Sequence, residues 1–505
     1  MIDPVRTRAS LLASIGAPAA DDVPLVDAAD PRVATADVRL TLRGRRRDDL
    51  FAPLEFVLSE RFAAVPRVRL VDDLLMPLKN ALGNAQKHGN GNDPRKEIAV
   101  ELFLAARGAL VTITDEGPGF DTDATLSRLR NGETYFSNRG LGLRNLDRAA
   151  SRVAWENGGR TLLLCYEAPC GGPRHSGDGG SDLDRVVDPA WMRAHLPAAL
   201  AEADGSVGAL ESCRACPSAR ASGGARDIRY IVRLAAAGGG PPITRSLMGR
   251  LHATAAAAVA DFAAARALHG TIATHRLRIP RPIARPVEEP RLALFEFHPW
   301  MSLADYLAHR GSLKAMTRSA GRVGRGLAVL HGARPDFVRP AAPMNRRRFR
   351  TLVGTAARNL RSLPDGADHV ETLRRLAAPL VLARAPRGRP PVPIHGALGL
   401  DSVCLGIDRR FYLYRFEACR LGDAVIDLGA FAADLLWSIA AHHGNGAYHA
   451  CLDQFLARYA AYGGPRVVRE EIRSSTAFAL LARLTHAPLP DGNGAGGLSA
   501  ALAAL

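Results

Sequence analysis

The sequence has no long hydrophobic run and only 7 cysteines in 505 residues. No stretch approaches the roughly 18 apolar residues that a membrane-spanning helix needs. The most apolar segment, 253–268, is mostly alanine and carries Asp261 and Arg266. An odd number of widely spaced cysteines argues against a secreted disulfide framework, and the apolar segment near the N-terminus is too short for a signal peptide. We therefore expect a cytoplasmic protein with no membrane partner.

Acidic residues are outnumbered: 50 aspartates and glutamates face 66 lysines and arginines, a formal net charge of +16. The basic residues are scattered rather than gathered on one predicted face, so we interpret the excess as compositional bias and expect no nucleic-acid partner. Hydrophobic residues make up 47% and charged residues 23%, which is typical of globular proteins and excludes a mostly disordered chain. The length predicts roughly two to four domains.

Changes in sequence texture predict where the domains begin and end. Alternating apolar residues at 38–42 predict a first strand. Glycines cluster among polar residues at 169–182, which is typical of a linker, and residues 189–201 have a helical pattern. A strand pattern at 230–234 begins a second block. The predicted segments are a flexible leader (1–34), a first globular block (35–167), a Gly/Ala-rich linker (168–225), a second globular block (226–487) and an irregular tail (488–505).

Two asparagines stand out in the first block. A predicted helix over residues 74–88 carries Asn80 and Asn84, which are four residues apart and therefore lie on one face. A buried carboxamide is costly unless it has hydrogen-bond partners, so the pair indicates a polar partner if it is buried. Standing alone, such a pair is more often surface decoration than a metal site.

Glycines follow a carboxylate at the end of the predicted strand 110–114. Asp115 ends that strand, and Gly117 and Gly119 allow the backbone to approach a ligand closely. A tight turn after a strand would explain this motif equally well if it stood alone.

A second glycine motif, Gly140-Leu141-Gly142, precedes the predicted helix 143–150. Free amides and the helix dipole favour anions at such a position, so the motif can hold phosphates. An ordinary loop is the alternative. The three motifs are far more specific together, because their order and their strand and helix contexts agree.

Residues 35–167 resemble the Bergerat-fold ATP-binding domain of gyrase, histidine kinases and anti-sigma-factor serine kinases, and among these the compact anti-sigma kinase type most. The resemblance implies a two-layer α/β sandwich. It implies that Asn84 supplies an oxygen ligand to Mg²⁺ bridging the phosphates of ATP, and that Asp115 accepts a hydrogen bond from the adenine amino group. Hard oxygen ligands suit Mg²⁺, which keeps several of its waters.

The same resemblance assigns the remaining pocket residues. Gly117 and Gly119 would shape the adenine pocket, Thr161 would lie near adenine, and Gly140, Leu141 and Gly142 would form the lid over the phosphates.

Asn80 departs from the pattern of the serine kinases and ATPases, which carry a glutamate general base at this place. A carboxamide cannot take up a proton, although some histidine kinases also have asparagine here. We therefore keep Asn80 as a nucleotide-binding residue and assign no catalytic residue. ATP binding is better supported than hydrolysis or serine phosphorylation. No phosphoacceptor-histidine coiled coil precedes residue 71, so a complete sensor histidine kinase is not expected.

The second block resembles the aminoglycoside phosphotransferases, relatives of protein kinases, which implies a bilobal kinase-like α+β domain. The resemblance predicts that the strand 230–234 occupies the place of the strand with the ATP-binding lysine. Four further segments carry the resemblance: the hinge (295–303), the helix before the catalytic loop (327–331), the catalytic loop (394–402) and the metal-binding strand together with the residues after it (413–428).

The functional positions of that family are replaced in this sequence. Arg233 stands at the expected lysine, Ala397 at the catalytic aspartate, Ser402 at the metal-binding asparagine and Arg415 at the metal-binding aspartate. Phosphoryl transfer depends on Mg²⁺ to offset developing charge, and an arginine would repel the ion. We therefore interpret the block as a pseudokinase, with a chance resemblance in an unrelated helical domain as the alternative. The residues that survive have supporting roles: Gly396, Gly422, Asp423 and Asp427.

Two classes of function are consistent with these observations. The first is an ATP-binding regulatory protein whose anti-sigma-kinase-like domain phosphorylates or switches a partner protein, a regulator or a sigma-factor-like protein. The second is an ATP-gated scaffold without turnover, in which the pseudokinase serves as an interaction module. A small-molecule phosphotransferase is a further alternative, and a homodimer stays open. Cys213 and Cys216 have zinc-knuckle spacing, but no second pair accompanies them, so we expect no zinc there.

Overall fold

The computed structural model divides into two compact units, Met1–Leu251 with Ile283–Pro299 and His252–Pro282 with Trp300–Leu505. The structure describes residues 7–65, 67–122, 124, 127, 152–168, 181–204, 207–222, 225–236, 242–272, 277–298, 300–310, 312–336, 346–360, 365–382, 390–406 and 410–485.

An antiparallel five-stranded sheet in the order β1-β2-β3-β5-β4 forms the first half of the first unit. In the ladder, Asp115 lies opposite Ile98, and Thr114 lies opposite Thr161, so the end of β3 and the start of β5 meet at one edge of the sheet. The strands are β1 (Val38–Gly44), β2 (Ile98–Ala105), β3 (Gly108–Asp115), β4 (Arg152–Glu156) and β5 (Thr161–Glu167).

A nearly continuous helical run leads into that edge. It consists of α3 (Arg67–Leu70), a π-helical turn (Val71–Leu75), α4 (Met76–Asn84) and a second π-helical turn (Ala85–Gly89). Pro77 has no amide hydrogen and its ring crowds the carbonyl four residues earlier, which accounts for the irregular turn before α4. The helix α2 (Arg47–Arg61) packs against β1, β2 and α4.

The N-terminal segment is not the flexible leader that its composition suggests. Residues Arg8–Ile15 form α1, and the Thr7 side chain caps its first turn. Leu11, Leu12 and Ile15 are buried against a face of the sheet that includes Phe103. Three apolar residues in an alanine-rich stretch are a weak local signal, and it is the sheet that stabilises this short helix.

The stretch 168–225 differs from a linker as well, although residues 169–180 lie outside the described part. It contains α5 (Ser181–Val187), α6 (Pro189–Asp204) and the long strand β6 (Val207–Ser222). The helical pattern at 189–201 falls within α6. A second sheet of the first unit has the order β10-β11-β8-β7-β6. Its other strands are β7 (Ala225–Ala236), β8 (Ile243–Leu251), β10 (Pro282–Ala284) and β11 (Leu292–Glu296).

The CxxC pair lies on β6 rather than in a disordered stretch. Cys213 is opposite Val232 and Cys216 is opposite Arg229 on β7. Burial raises the pKa of Cys213 to about 12, and its Sγ lies 3.4 Å from the sulfur of Met192. Cys213 therefore packs as a neutral thiol beside the apolar helix α6.

The second unit is dominated by helices. Its helices are α7 (Ala255–Thr271), α8 (Leu303–Arg310), α9 (Leu313–Gly332), α10 (Arg346–Asn359), α11 (Gly366–Leu382), α12 (Val425–Ala461) and α13 (Arg469–Leu484). Its short strands are β9 (Leu277–Arg278), β12 (Trp300–Ser302), β13 (Val392–Ile394), β14 (Val403–Gly406), β15 (Phe411–Leu413) and β16 (Arg420–Gly422). They pair in the order β12-β14-β15-β9 and as β13-β16.

The observed architecture confirms the predicted mixed α/β fold class: the first unit combines antiparallel sheets with helices, and the second combines short strands with long helices. Across the described residues, none of the helices combines the length and the apolar composition that crossing a bilayer requires.

Candidate functional site

Asp115 is the last residue of β3 and lies half-buried at the sheet edge. Its amide donates a hydrogen bond to the Arg160 carbonyl at 3.1 Å, and its Oδ1 accepts one from the Gly117 amide at 2.9 Å. Burial raises the pKa of Asp115, although the Gly117 amide and the charges of Arg160 and Lys96 oppose that rise. The second carboxylate oxygen is thus available in a partly desolvated place.

Two glycines allow the backbone to pack tightly around that carboxylate. A methyl carbon added to Gly89 would lie 2.2 Å from the Asp115 carboxyl carbon, and one added to Gly117 would lie 2.2 Å from the Gly89 carbonyl oxygen. The end of the helical run and the turn after β3 therefore meet at Asp115, at a distance that only glycine permits.

Gly119 and Thr161 complete this edge. Gly119 has φ +75°, a conformation that favours glycine, and a methyl group there would collide with the Gly158 carbonyl. Thr161 is buried, and its hydroxyl makes 3.0 Å hydrogen bonds with the Thr114 hydroxyl and the Asn157 carboxamide. The structure thus brings together Asp115, Gly117, Gly119 and Thr161.

Asn80 and Asn84 both lie on α4 and are half-buried. Asn84 precedes Gly89 by between one and two helical turns, so the same helical run carries the asparagines and reaches Asp115. The predicted lid residues Gly140, Leu141 and Gly142 lie outside the described residues.

The kinase-like loop of the second unit is built around buried Asp427. This carboxylate accepts hydrogen bonds from the amides of His395 at 2.7 Å and Gly396 at 2.8 Å, and it lies 3.1 Å from His331 Nε2. Burial opposes ionisation, but the hydrogen bond and charge of His331, the charge of His395 and the Gly396 amide together lower the pKa of Asp427. The negative charge therefore holds the loop in one conformation.

Three of the replaced positions lie on this loop and on the neighbouring segment. Ala397 is exposed, whereas the buried Ser402 hydroxyl is used within the loop, donating to the Gly399 carbonyl at 2.8 Å. The Ser402 carbonyl accepts from the Tyr414 amide at 3.1 Å, next to Arg415. Arg415 has φ 72°, which is uncommon outside glycine and is a feature of functional turns.

The strand order points to a different place for the lysine that the resemblance implies. In protein kinases the lysine lies on the third strand of the sheet, before the first helix, and here β8 is the third strand and precedes α7. Arg233 lies on the second strand, β7, and pairs with Glu211 at 2.9 Å. On β8, Arg250 is buried and pairs with Asp227 at 2.7 Å. The sequence pattern does not reveal this strand count, because the residues of β6 have the composition of a linker.

Comparison with family models matches two separate parts of the chain. Residues 61–166 match the histidine kinase-like ATPase domain, and residues 219–470 match the phosphotransferase enzyme family. The chain thus combines an ATPase-like part with a phosphotransferase-like part. Both families imply nucleotide binding. Among curated proteins, no match is found.

Solved structures similar to the chain are sugar and antibiotic kinases. A thermostable mutant of aminoglycoside phosphotransferase APH(4)-Ia, in complex with ADP and hygromycin B, is 16% identical over 61% of this chain and 98% of its own, with a TM-score of 0.37. A glucosamine kinase is 16% identical over 63% and 86%, with a TM-score of 0.39. The macrolide 2'-phosphotransferase of Brachybacterium faecium is 18% identical over 58% and 91%, with a TM-score of 0.33.

Two residues beyond the predicted set help to build this edge of the sheet. One is Gly89, whose lack of a side chain admits Asp115. The other is Asn90, which is 4% exposed; its carboxamide donates to the Glu97 carbonyl at 2.9 Å and accepts from the Glu116 amide at 2.8 Å. Asn90 thereby ties the end of the helical run to the loops flanking β2 and β3. A Gly-Asn pair at the end of a polar helix was the available signal.

Proposed function

We propose that the ATPase-like domain binds ATP with Mg²⁺ and uses it to regulate a partner protein, as in anti-sigma-factor kinases, while the phosphotransferase-like domain is a pseudokinase that serves as an interaction module. One observation carries this proposal. A half-buried carboxylate stands at the end of β3, with backbone from Gly89 and Gly117 packed against it.

The carboxylate suits the adenine amino group. Asp115 uses Oδ1 for the Gly117 amide, which leaves Oδ2 to accept from a ligand. Partial burial excludes competing water, so a charge-assisted hydrogen bond there contributes more than it would at an open surface. Thr161, on the neighbouring strand, places a hydroxyl beside Thr114 at the same edge of the sheet.

The asparagines suit the phosphates and their metal. Asn84 offers a hard oxygen ligand, and Mg²⁺ completes its shell with phosphate oxygens and water. The ion supplies charge neutralisation at the phosphates. Asn80 lacks the basicity of a glutamate, so this helix provides no general base at that turn. The proposal is therefore one of binding and switching, with turnover left to a group outside α4.

The replaced loop residues support the pseudokinase. Ala397, Ser402 and Arg415 offer neither a general base nor two oxygen ligands for Mg²⁺, on which phosphoryl transfer depends. Asp427 keeps the loop folded without giving it chemistry.

The test is titration of the full chain with a fluorescent ATP analogue, with and without Mg²⁺. We expect Mg²⁺-dependent binding by the natural protein. Asp115→Asn should weaken it by about 1–3 kcal/mol, roughly 5- to 150-fold in Kd, because the charge-assisted hydrogen bond is lost. Glu116→Gln, a change at the exposed neighbouring carboxylate, is the matched control and should bind as the natural protein does. Equal affinities of the natural protein and Asp115→Asn would contradict the proposal.

Measuring ATP turnover separates the regulatory kinase from the ATP-gated scaffold. Asn80 favours the scaffold, because it cannot act as a general base. Steady ATP loss or labelled phosphate on a co-purified protein supports the kinase, and tight binding without either supports the scaffold. For the small-molecule alternative, we expect no aminoglycoside-dependent ADP release.

A further inference from the structure

Three metal-ligating side chains of the second unit lie close together. His252 immediately follows β8, Asp261 lies on α7, and Glu417 lies in the short helical turn Phe416–Ala418 after β15. One ligand atom from each residue lies within 4.8 Å of the other two. Neither of the two nucleotide-site assignments uses these residues.

The cluster is buried and its polar atoms are incompletely satisfied. The side chains of His252 and Asp261 are 2% and 1% exposed, with His252 Nε2 3.2 Å from Asp261 Oδ2. Within the described part of the chain, His252 Nε2 and Glu417 Oε2 are buried and form no hydrogen bond. Burying such groups without a compensating partner is costly, so these atoms call for a cation.

The ligands are held in place by their own backbone contacts. Asp261 Oδ1 accepts a 2.7 Å hydrogen bond from the amide of buried Phe416, which fixes α7 to the turn that carries Glu417. Arg415, with its left-handed backbone, sets the direction of that turn. The three side chains are therefore preorganised by two elements distant in sequence.

The electrostatic environment is negative. Two carboxylates and a neutral imidazole carry a charge of −2, which a divalent cation would neutralise.

We propose that His252, Asp261 and Glu417 bind a zinc ion. One imidazole nitrogen with two carboxylate oxygens is a donor set that Zn²⁺ accepts in tetrahedral geometry, at about 2.0–2.2 Å from each ligand. Mg²⁺ fits less well, because it prefers an octahedral shell of oxygen ligands to a histidine nitrogen. A protonated imidazole bridging the carboxylates is the alternative occupant, and the test distinguishes it.

The experiment uses the untagged full chain, treated with a chelator and then titrated with Zn²⁺ alone by calorimetry. We expect one zinc per chain in the natural protein and at least about 100-fold weaker binding in both His252→Gln and Glu417→Gln, because each loses a ligand. The double variant Cys213→Ser/Cys216→Ser is the control for adventitious thiol binding and should keep the stoichiometric site. Millimolar Mg²⁺ should not displace the zinc.

Thermal unfolding provides a second readout that does not depend on activity. Zinc should raise the Tm of the natural protein and of the double cysteine variant, and leave that of Glu417→Gln unchanged. If His252→Gln fails to fold, Glu417→Gln still decides the question, since it alters the less buried ligand. Absence of stoichiometric binding, or binding equally tight in folded Glu417→Gln, overturns the proposal and leaves the protonated imidazole as the occupant.

Discussion

The substitution Gly89→Ala tests whether nucleotide binds at Asp115. It does so without altering any polar group. The added methyl carbon would lie 2.2 Å from the Asp115 carboxyl carbon, whereas ordinary contacts begin at 3.4 Å. One of the two groups must therefore move by roughly 1.2 Å, and the carboxylate, at the tip of a side chain, moves more easily than backbone. Such a shift takes a hydrogen bond outside its usual range.

We expect Gly89→Ala to lose the binding free energy of the adenine hydrogen bond, about 1–3 kcal/mol or roughly 5- to 150-fold in Kd. The free energy of unfolding should change little, because two effects offset each other. Alanine has a helix propensity up to about 1 kcal/mol better than that of glycine, and displacing the Asp115 side chain has a similar cost. The assay is titration of the full chain with a fluorescent ATP analogue, paired with urea unfolding.

Gly83→Ala, on the same helical run, is the matched control. Its methyl carbon would meet Arg47 Cδ at 3.6 Å, an ordinary contact, so it should keep its affinity and gain about 0.5–1 kcal/mol of stability. The reasoning would be refuted if folded Gly89→Ala bound nucleotide like the natural protein, or if both variants lost affinity equally.

Two further predictions concern stability. Because burial raises the pKa of Asp115, the folded state retains a proton over a range of pH in which the unfolded chain has lost it, so its contribution to stability falls as pH rises through that range. Asp115→Asn should thus be more stable than the natural protein to urea at pH 7, with the difference shrinking in acid; a constant difference would contradict this. Glu55→Gln should lower the free energy of unfolding by about 3 kcal/mol, because Glu55 is 0% exposed and accepts from Arg229, itself 14% exposed. The exposed pair Arg374–Glu371 gives the control, since Glu371→Gln should cause no measurable change, and equal losses in both variants would refute the distinction.

Much of the candidate site could be predicted from local patterns. The strand leading to Asp115, the glycines after it and the helix with both asparagines are each encoded by short-range periodicity and turn residues. The role of Gly89 is not, because it depends on two segments meeting in space.

The errors have a common physical origin. Residues 8–15 and 207–222 are rich in alanine and polar residues, so their local preferences are weak, and packing against a sheet decides their structure. Because the residues of β6 resemble a linker, the sequence pattern places the lysine position at Arg233 on the second strand, whereas the strand order points to β8.

The helix α1 has a practical consequence for the preparation of truncated fragments of this protein. A fragment that begins at residue 35, where strand periodicity first becomes visible, removes Leu11, Leu12 and Ile15 from the sheet. Phe103 and Leu110 would then be exposed to water as part of a hydrophobic surface, and such a surface is prone to self-association. A recombinant piece intended for biochemistry should retain the first turns of the polypeptide.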